Sequence, residues 1–384
     1  MKNNIIFVDC TQNYSYQFSA SNTKVEFMAK GLVGAGDICS IFNGITGTKI
    51  IKKREQKDIQ QIGVVITYPQ IGHKLVSFIF NIKKLYIDLI ANYRDDCKNF
   101  IILSEPDYHI YLLYCFLARR VGYKIIVISH EWGPTVTTTH PMRKPLVWLY
   151  SKTFGYFADG ILPISEFIIN KIKHFNKPFL KVPILADYNH VPIVTSAKEK
   201  YFLYCVYAAY FRVIFKIIDA YKKYVSDGGD HLLILILSGS KEQISYIESY
   251  FNKDELLNKK IIVRSKVPYK ELLHLYSNAH GLIIPLDPSS EQDKARFSQK
   301  IAEYLSSGSP IISNNVGEIK SYFLDKKNII ICDYSIQGFA NVFKWISNNE
   351  KLAKEIGTNG FYLGKQEFNY AIFGKKIHNF LNNI

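Results

Sequence analysis

The sequence predicts an α/β protein made of two doubly wound parallel sheets. Short runs rich in Ile, Val and Leu alternate with amphipathic stretches along the whole chain. Strands that alternate with helices are typical of parallel sheets covered on both faces. Twelve candidate strands fall into two groups of six, separated by the polar segment 187–200. We therefore expect two halves, each with its own sheet and core.

The elements follow in order along the chain. The first-half strands are IIFVDC (5–10), ICSIF (38–42), IGVVITY (62–68), FIILS (100–104), KIIVIS (124–129) and GILPIS (160–165). The second-half strands are YFLYCVY (201–207), LLILILSG (232–239), IIVRSKV (261–267), GLIIPL (281–286), PIIS (310–313) and NIIICD (328–333). Helical patterns occur at 74–94, 107–120, 213–226, 269–279 and 335–347. Because ligands bind beyond the carboxyl ends of such strands, we expect functional residues in the loops that follow them.

The charge of the chain points to an anionic partner. Its 384 residues carry a net charge of +15, and residues 1–200 contribute 25 Lys and Arg against 15 Asp and Glu. Such an excess favours nucleic acid, an anionic membrane surface or a phosphorylated substrate. Basic clusters occur at 49–57, 73–94, 118–120 and 142–144. Segment 74–94 is apolar on nearly all faces, which predicts a buried core helix and leaves a membrane-surface helix as the alternative.

The cysteines and the apolar runs indicate the compartment. None of the six cysteines forms a CxxC pair, and most lie in apolar runs, which predicts buried free thiols in a reducing compartment. The first ten residues are too polar for a signal peptide, and no run of about 18 apolar residues occurs. We expect a cytoplasmic protein, with association at the inner face of the membrane left open.

The stretch RFSQKIAEYLSSGSPIISNNVGEI, residues 296–319, carries the most informative local pattern. Ser298 is placed to cap a helix that begins near Gln299, and Gly308 is placed to end it. Lys300 adds positive charge near the helix start, and Glu303 falls on a flank of the helix. The pattern alone fits a solvated helix face, or a group that binds a phosphorylated ligand.

This stretch resembles the donor-binding motif of GT-B glycosyltransferases, specifically the retaining family 4 group. The resemblance implies two Rossmann-like domains that face each other across a cleft. The N-terminal domain, 1–190, would bind the acceptor, and the C-terminal domain, 191–366, would bind the nucleotide sugar. Residues 367–384 would form a helix that packs back toward the N-terminal domain.

The same resemblance assigns roles within the stretch. Glu303 matches the second Glu of a Glu-x7-Glu motif, which binds the nucleotide ribose. The backbone at Phe297, Ser298 and Gln299, together with Lys300, matches the phosphate-contacting segment. The first Glu of the motif would fall at position 295, which is Ala295 here. This departure puts a contact with the donor sugar in doubt, and either Glu291 or Asp293 is a conceivable substitute.

Other donor-binding residues follow from the resemblance. Arg212 occupies the position of a Lys that holds the donor diphosphate, and Arg keeps the charge while offering a fork to phosphate oxygens. The Gly that normally follows is Val213 here, and Lys216 is the reserve candidate. Lys266 and Val267 match the segment whose backbone binds the base. Gly239 lies in a strand-to-turn segment of the kind that lines the same site.

In the first half, SHEWG (129–133) ends a strand with His130 and Glu131. The family places a His after the corresponding strand, near the reacting sugar, and Glu131 would orient it or an acceptor hydroxyl. A structural histidine is the alternative. The loop 13–24 stands where the family has a Gly-rich loop, but it lacks the paired glycines.

These observations predict a glycosyltransferase that moves a sugar from a UDP or GDP type donor to a glycan or lipid-linked acceptor. The resemblance implies retention of configuration, and the composition, rich in Ile, Lys and Asn, together with the basic N-terminal half favours a role in bacterial surface polysaccharide synthesis. No Asp-x-Asp, Walker A, HExxH or CxxC motif occurs, so we expect no metal and no cofactor beyond the donor. The alternatives are a nucleotide-sugar epimerase and a non-catalytic binding subunit. Nucleic acid is disfavoured because the basic clusters form no recognisable RNA or DNA module.

Overall fold

The fold consists of two compact α/β units, seen in a computed structural model that describes residues 2–11, 20–48, 62–70, 72–104, 107–136, 139–189 and 199–384. The first unit comprises residues 1–186, 295–299 and 368–384, and the second comprises 187–294 and 300–367. Most of the loop 13–24 and the basic cluster 49–57 lie outside the described residues.

The first unit contains a six-stranded sheet. Its strands are β1 (Asn3–Val8), β2 (Ile38–Thr48), β3 (Val65–Pro69), β4 (Lys98–Ser104), β5 (Lys124–Ser129) and β6 (Gly160–Pro163). They are all parallel and lie in the order β3-β2-β1-β4-β5-β6. The helices are α1 (Ala20–Gly34), α2 (Lys74–Ala91), α3 (Tyr108–Val121), α4 (Lys144–Phe157), α5 (Glu166–Ile172) and the C-terminal α15 (Tyr370–Asn382).

The second unit repeats this plan. Its strands are β7 (Tyr201–Tyr207), β8 (Leu232–Ser238), β9 (Ile261–Arg264), β10 (Gly281–Ile284), β11 (Ile311–Ser313) and β12 (Ile330–Ile331). They are parallel in the order β12-β11-β10-β7-β8-β9. The helices are α6 (Phe211–Ser226), α7 (Lys241–Phe251), α8 (Glu255–Lys260), α9 (Tyr269–Ser277), α10 (Glu291–Ala295), α11 (Gln299–Ser307), α12 (Ile319–Tyr322), α13 (Ile336–Asn348) and α14 (Glu350–Glu367). The twelve predicted strands are therefore confirmed, and so is the doubly wound α/β class.

Two glycines allow α15 to complete the core of the first unit. A Cβ added to Gly31 in α1 would lie 2.4 Å from the carbonyl oxygen of Tyr370, and one added to Gly374 would lie 2.1 Å from the Gly31 backbone. The two helices therefore cross with their backbones nearly in contact. Beside the crossing, Phe27 stacks on Tyr370 with ring centroids 5.5 Å apart.

The prediction that 74–94 is a buried core helix is wrong. Helix α2 buries Ser77 and Asn81 along with Leu85 and Leu89. Asn81 is retained in the interior because its amide donates to the carbonyls of Ile45 and Pro69, both at 3.2 Å. Six apolar side chains face outward, each more than half exposed: Leu75, Val76, Ile79, Phe80, Ile87 and Ile90. Apolar residues all round the helix thus reflect one inward face and one exposed apolar face.

Candidate functional site

Strand order defines where a ligand would bind in the second unit. The chain runs from β7 outward to β9 on one side, then returns to β10 and runs outward to β12 on the other. The order reverses between β7 and β10, and this switch point is where open α/β sheets bind ligands at their carboxyl edge. Arg212 follows β7, and the segment containing Glu303 follows β10. The topology therefore brings the chain segments of both predicted donor residues to the switch point.

Glu303 is a buried carboxylate at this place. Only 8% of the residue is exposed, although it lies in a short helix with polar neighbours. Its charge interacts with Cys205 in β7 and with the hydroxyls of Tyr276 and Tyr304. Among the described residues, none donates a hydrogen bond to the carboxylate. The solvated-face interpretation of this helix is therefore wrong.

Burial also controls the ionisation of Glu303. It raises the pKa of the carboxyl group to about 7, and the nearby Lys300 ammonium group opposes part of this increase. A buried carboxylate without donors is unstable in its charged form. A ligand that brings hydroxyl donors, such as a ribose diol, would supply the missing hydrogen bonds.

Two basic residues of α6, Arg212 and Lys216, differ in whether they already have a partner. Arg212 is exposed in the first turn of α6, and no described residue pairs with it. Lys216, one turn later, lies 3.8 Å from the centre of the Tyr334 ring and 3.5 Å from the Tyr334 carbonyl oxygen. The guanidinium group of Arg212 is therefore free to reach an anion, whereas Lys216 already has partners.

Position 239, at the end of β8, requires glycine because Ala208 and Gln243 lie close to its backbone. A Cβ at this position would lie 2.8 Å from the Cβ of Ala208 and 2.8 Å from Gln243 Oε1. The next residue, Ser240, forms a capping box with Gln243 that starts α7. Any larger residue would displace the segment after β7 or the start of α7, both of which lie at the carboxyl edge of the sheet.

Lys266 and Val267 form the turn between β9 and α9. Lys266 adopts a left-handed backbone conformation with φ of 53° and is exposed, and Val267 is partly buried. Their predicted contact with the base uses the backbone, and it stays a prediction.

Residues Phe297, Ser298 and Gln299 pack with the first unit rather than the second. The Gln299 amide accepts from the Leu185 backbone N–H at 3.2 Å and donates back to the Leu185 carbonyl. The Phe297 ring packs edge-on against Phe368, with centroids 5.6 Å apart. The side chains of Phe297 and Gln299 therefore have structural roles. The predicted phosphate contact uses the backbone of the segment, and it stays a prediction.

Position 295, where the resemblance places a carboxylate, is buried. Ala295 is 1% exposed, and its carbonyl oxygen accepts a hydrogen bond of 2.6 Å from the Ser165 hydroxyl. Of the two conceivable substitutes, Glu291 pairs with Lys294 at 2.8 Å and is largely exposed. Asp293 is buried and accepts from the Asp287 backbone N–H at 2.9 Å. Both carboxylates thus have local structural partners.

In the first unit, His130 follows β5 as predicted. Its Nε2 is buried and has no hydrogen-bond partner in the described ranges. Burial, together with the positive charge of Lys24, lowers the pKa of the imidazole well below 6.5. The ring is therefore neutral at physiological pH. Within the described part of the chain no hydrogen bond joins it to Glu131, so the proposed orienting role of Glu131 has no support in this structure.

Sequence reasoning missed Asp9, which follows β1. In the first unit the strand order reverses between β1 and β4, so Asp9 stands at that switch point. Its backbone is left-handed with φ of 48°, and its carboxylate accepts hydrogen bonds from the Tyr114 hydroxyl at 2.5 Å and the Gly44 N–H at 2.9 Å. Burial raises the pKa of this carboxyl group above its ordinary value. An Asp directly after an apolar strand was the available signal.

Sequence reasoning also missed a cavity of about 630 Å³ in the second unit. It lies beside β12, and its lining includes Asn314, Asp333, Tyr334 and Trp345. Glu303 and Arg212 do not line it, and its lining joins Pro288, in the loop after β10, to residues around β11 and β12. No local motif marks it, because its walls come from three separate segments.

Comparison with known proteins agrees with this architecture. Residues 190–361 match the family model described as glycosyl transferases group 1. Sucrose-phosphate synthase from Thermosynechococcus elongatus superposes with a TM-score of 0.74 at 14% identity, over 99% of this chain and 98% of that one. Anabaena HepE in complex with UDP-glucose superposes with 0.71 at 12% identity, over 99% and 100%. The lipopolysaccharide outer core galactosyltransferase WaaB gives 0.60 at 13% identity, over 100% and 99%.

No curated protein sequence matches the chain significantly. At these identities the structural likeness shows the fold, which is GT-B: two units, each with a six-stranded parallel sheet. Residues 190–361 form a glycosyl transferases group 1 domain. This domain and the GT-B fold together support glycosyl transfer as the activity of the chain.

Proposed function

We propose that the second unit binds a nucleotide-diphosphate sugar of the UDP or GDP type at the switch point between β7 and β10. The observation that carries this is the buried Glu303 carboxylate, which lacks donors among the described residues. A ribose diol presents two hydroxyl donors, which satisfy such a group. Anabaena HepE, which shares the fold, was solved with UDP-glucose, and this supports the choice of ligand class.

The proposed chemistry is transfer of the sugar to an acceptor hydroxyl with retention of configuration and without a metal. The leaving diphosphate develops negative charge, which Arg212, Lys300 and the backbone N–H groups near Gln299 would stabilise. His130 of the first unit, being neutral, would act near the reacting sugar as a hydrogen-bonding group. The acceptor hydroxyl bonds to the anomeric carbon on the face from which the diphosphate departs, the bond to the diphosphate breaks, and the hydroxyl proton passes to the departing diphosphate oxygen.

The proposed acceptor is a glycan or a lipid-linked saccharide of bacterial surface polysaccharide synthesis. The exposed apolar face of α2 carries exposed Lys74 and Lys83 beside it. Helix α4 adds exposed Leu146 and Trp148. Apolar side chains bordered by cations are typical of helices that lie on anionic membranes. No helix in the described ranges is long and apolar enough to cross a membrane.

The membrane part of the proposal is tested by flotation with vesicles that contain or lack anionic lipid. The double variant Ile79→Ser, Phe80→Ser should lose co-flotation with anionic vesicles, because it removes two of the exposed apolar groups of α2. Leu352→Ser, which changes an exposed apolar residue of the second unit, is the matched control. Equal flotation of the double variant and the wild type would exclude α2 as the membrane contact.

A donor screen tests the transferase assignment itself. The protein is titrated calorimetrically with UDP and GDP, and slow hydrolysis of common nucleotide sugars is then followed by release of the diphosphate. Binding together with hydrolysis supports a transferase. Binding without hydrolysis or transfer favours a non-catalytic binding subunit. The argument for that alternative is that Ala295 stands where the resemblance places a Glu. Failure to bind either diphosphate would reject the proposed donor site.

A further inference from the structure

A cluster of two histidines and a glutamate lies at the amino edge of the second sheet, opposite the proposed donor site. His231 immediately precedes β8, His280 immediately precedes β10, and Glu350 begins α14. One ligand-type atom from each residue lies within 4.8 Å of the others. The cluster takes no part in the proposed function, which uses the carboxyl edge.

His231 presents a buried lone pair toward the cluster. Its Nδ1 lies 2.8 Å from Asp230 Oδ1. A carboxylate can only accept, so Nδ1 carries the hydrogen and Nε2 carries the lone pair. That Nε2 is buried and has no hydrogen-bond partner among the residues that the structure describes. The ring stacks on Phe202 with centroids 5.2 Å apart, which holds its orientation. A carboxylate that fixes the tautomer of a histidine in this way is the usual outer support of a metal-binding imidazole.

His280 contributes a second unsatisfied nitrogen. Its Nδ1 is buried and also lacks a hydrogen-bond partner within the described part of the chain. The two imidazole rings meet edge to face, with centroids 5.0 Å apart and an interplanar angle of 86°. Two buried nitrogens without partners in one place are costly, since each loses its hydrogen bond to water. A single cation between them would satisfy both.

Glu350 supplies a carboxylate to the same point. Its Oε1 lies 3.8 Å from His231 Nε2 and is also paired with the half-exposed Lys200 ammonium group. Tetrahedral ligand atoms about 2.0–2.1 Å from a zinc ion are about 3.3 Å apart. Small side-chain rotations would therefore bring the three ligand atoms to coordination distance of one metal ion. The ion pair between Lys200 and Glu350 would have to break.

We propose that His231, His280 and Glu350 form a divalent transition-metal site, with Zn²⁺ as the preferred ion. Two imidazoles and one carboxylate are a common zinc ligand set, and three protein ligands leave a fourth position for water. Bound there, the ion joins the starts of β8 and β10 to the start of α14. Its role is to stabilise the second unit, because an ion that binds only the folded state raises stability.

The test uses the full chain without added histidines, stripped by a chelator and titrated with Co²⁺. We expect one equivalent to bind, with the intense visible absorption of tetrahedral Co²⁺, and Zn²⁺ to displace it and raise the unfolding temperature. His280→Gln and Glu350→Gln should each weaken binding at least about tenfold. The control His274→Gln changes an exposed histidine of the same unit and should bind like the wild type.

Lys200→Met gives a result that a merely structural histidine pair would not. Removing the ammonium group that competes for Glu350 should tighten metal binding. Circular dichroism and urea unfolding establish that each variant is folded. His280→Gln and Glu350→Gln change separate elements, so one still tests metal binding if the other does not fold. No saturable Co²⁺ binding by the wild type, or equal binding by the wild type and a folded Gln variant, would overturn the site.

Discussion

The Lys216 ammonium group lies 3.8 Å from the centre of the Tyr334 ring. Lys216 therefore already has a partner, whereas Arg212, one turn earlier in α6, has none among the described residues. Desolvation makes a cation over an aromatic face a stable pair. This arrangement separates the two basic residues that the sequence offered as diphosphate ligands. We therefore propose Arg212 as the diphosphate ligand and Lys216 as an anchor of α6.

Arg212→Gln should weaken UDP binding by about 10- to 150-fold, because a charge-assisted hydrogen bond contributes about 1.5–3 kcal/mol. Arg212→Lys should keep part of the affinity, since it keeps the charge but loses the planar fork. Lys223→Gln, at the exposed end of the same helix, is the matched control. Calorimetric titration measures all three, and wild-type affinity in Arg212→Gln would exclude the residue from the donor site.

Nucleotide binding should strengthen as the pH rises through about 7. The free protein holds Glu303 with a pKa of about 7 because the group is buried, and only the ionised form accepts two hydroxyl donors. Ligand donors favour that form, so binding near neutral pH should release a proton. Titrations in buffers of different ionisation enthalpy measure the release. Glu303→Gln should bind more weakly and with no such pH dependence, and a wild type without proton release would contradict the assignment.

Glu303→Gln should at the same time make the free protein more stable above pH 7. A carboxyl pKa raised from 4.5 to about 7 means that the folded state binds more protons than the unfolded state between these values. Stability is therefore full below the unfolded pKa and is lost as the pH rises through the folded pKa. The full difference corresponds to about 3 kcal/mol. Urea unfolding at pH 5 and pH 8 tests this, and an equal effect of the substitution at both would refute it.

His130→Asn should slow sugar transfer much more than it weakens donor binding, since His130 belongs to the first unit and the proposed donor ligands Arg212 and Glu303 to the second. We expect a loss of about 10²- to 10³-fold in kcat, the range for removing one group that hydrogen-bonds in the transition state. His109→Asn, an exposed histidine on α3, is the control. Unchanged kcat would make His130 a structural residue.

Gly31→Ala should destabilise the first unit by about 1–3 kcal/mol, the usual range for overpacking. The new Cβ would meet the Tyr370 carbonyl oxygen at 2.4 Å, and that oxygen belongs to rigid backbone. Gly34→Ala in the same helix meets nothing within 4 Å. It should therefore be neutral or stabilise by up to about 1 kcal/mol. Urea unfolding compares them, and equal effects would show that the close crossing is not needed.

Much of the fold was predictable because buried parallel strands are read from short β-branched runs, which need no knowledge of their partners. The prediction of a buried core helix for the α2 segment was wrong for a physical reason. Composition does not distinguish a helix buried on all sides from one with an exposed apolar face, and the inward face of α2 is marked by Asn81, whose hydrogen bonds are made to Ile45 and Pro69.

The candidate site was predictable only in part. Spacing located Glu303 but not its burial, because burial depends on packing against other elements, and the Glu303 charge interacts with Cys205 of β7 and Tyr276 of α9. The pairing of Gln299 with Leu185 and the cluster of His231, His280 and Glu350 join residues far apart in the chain. No local pattern announces such contacts.

The placement of residues 368–384 with the first unit has a consequence for biosynthesis. The second unit is complete once residue 367 has left the ribosome, but the first unit lacks α15 until translation reaches residue 382. At roughly 5–20 residues per second, the surface of α1 that α15 later covers stays open while the whole second unit is made. Folding of the half that is synthesised first must therefore finish last, and for that interval a chaperone has a defined apolar surface to protect.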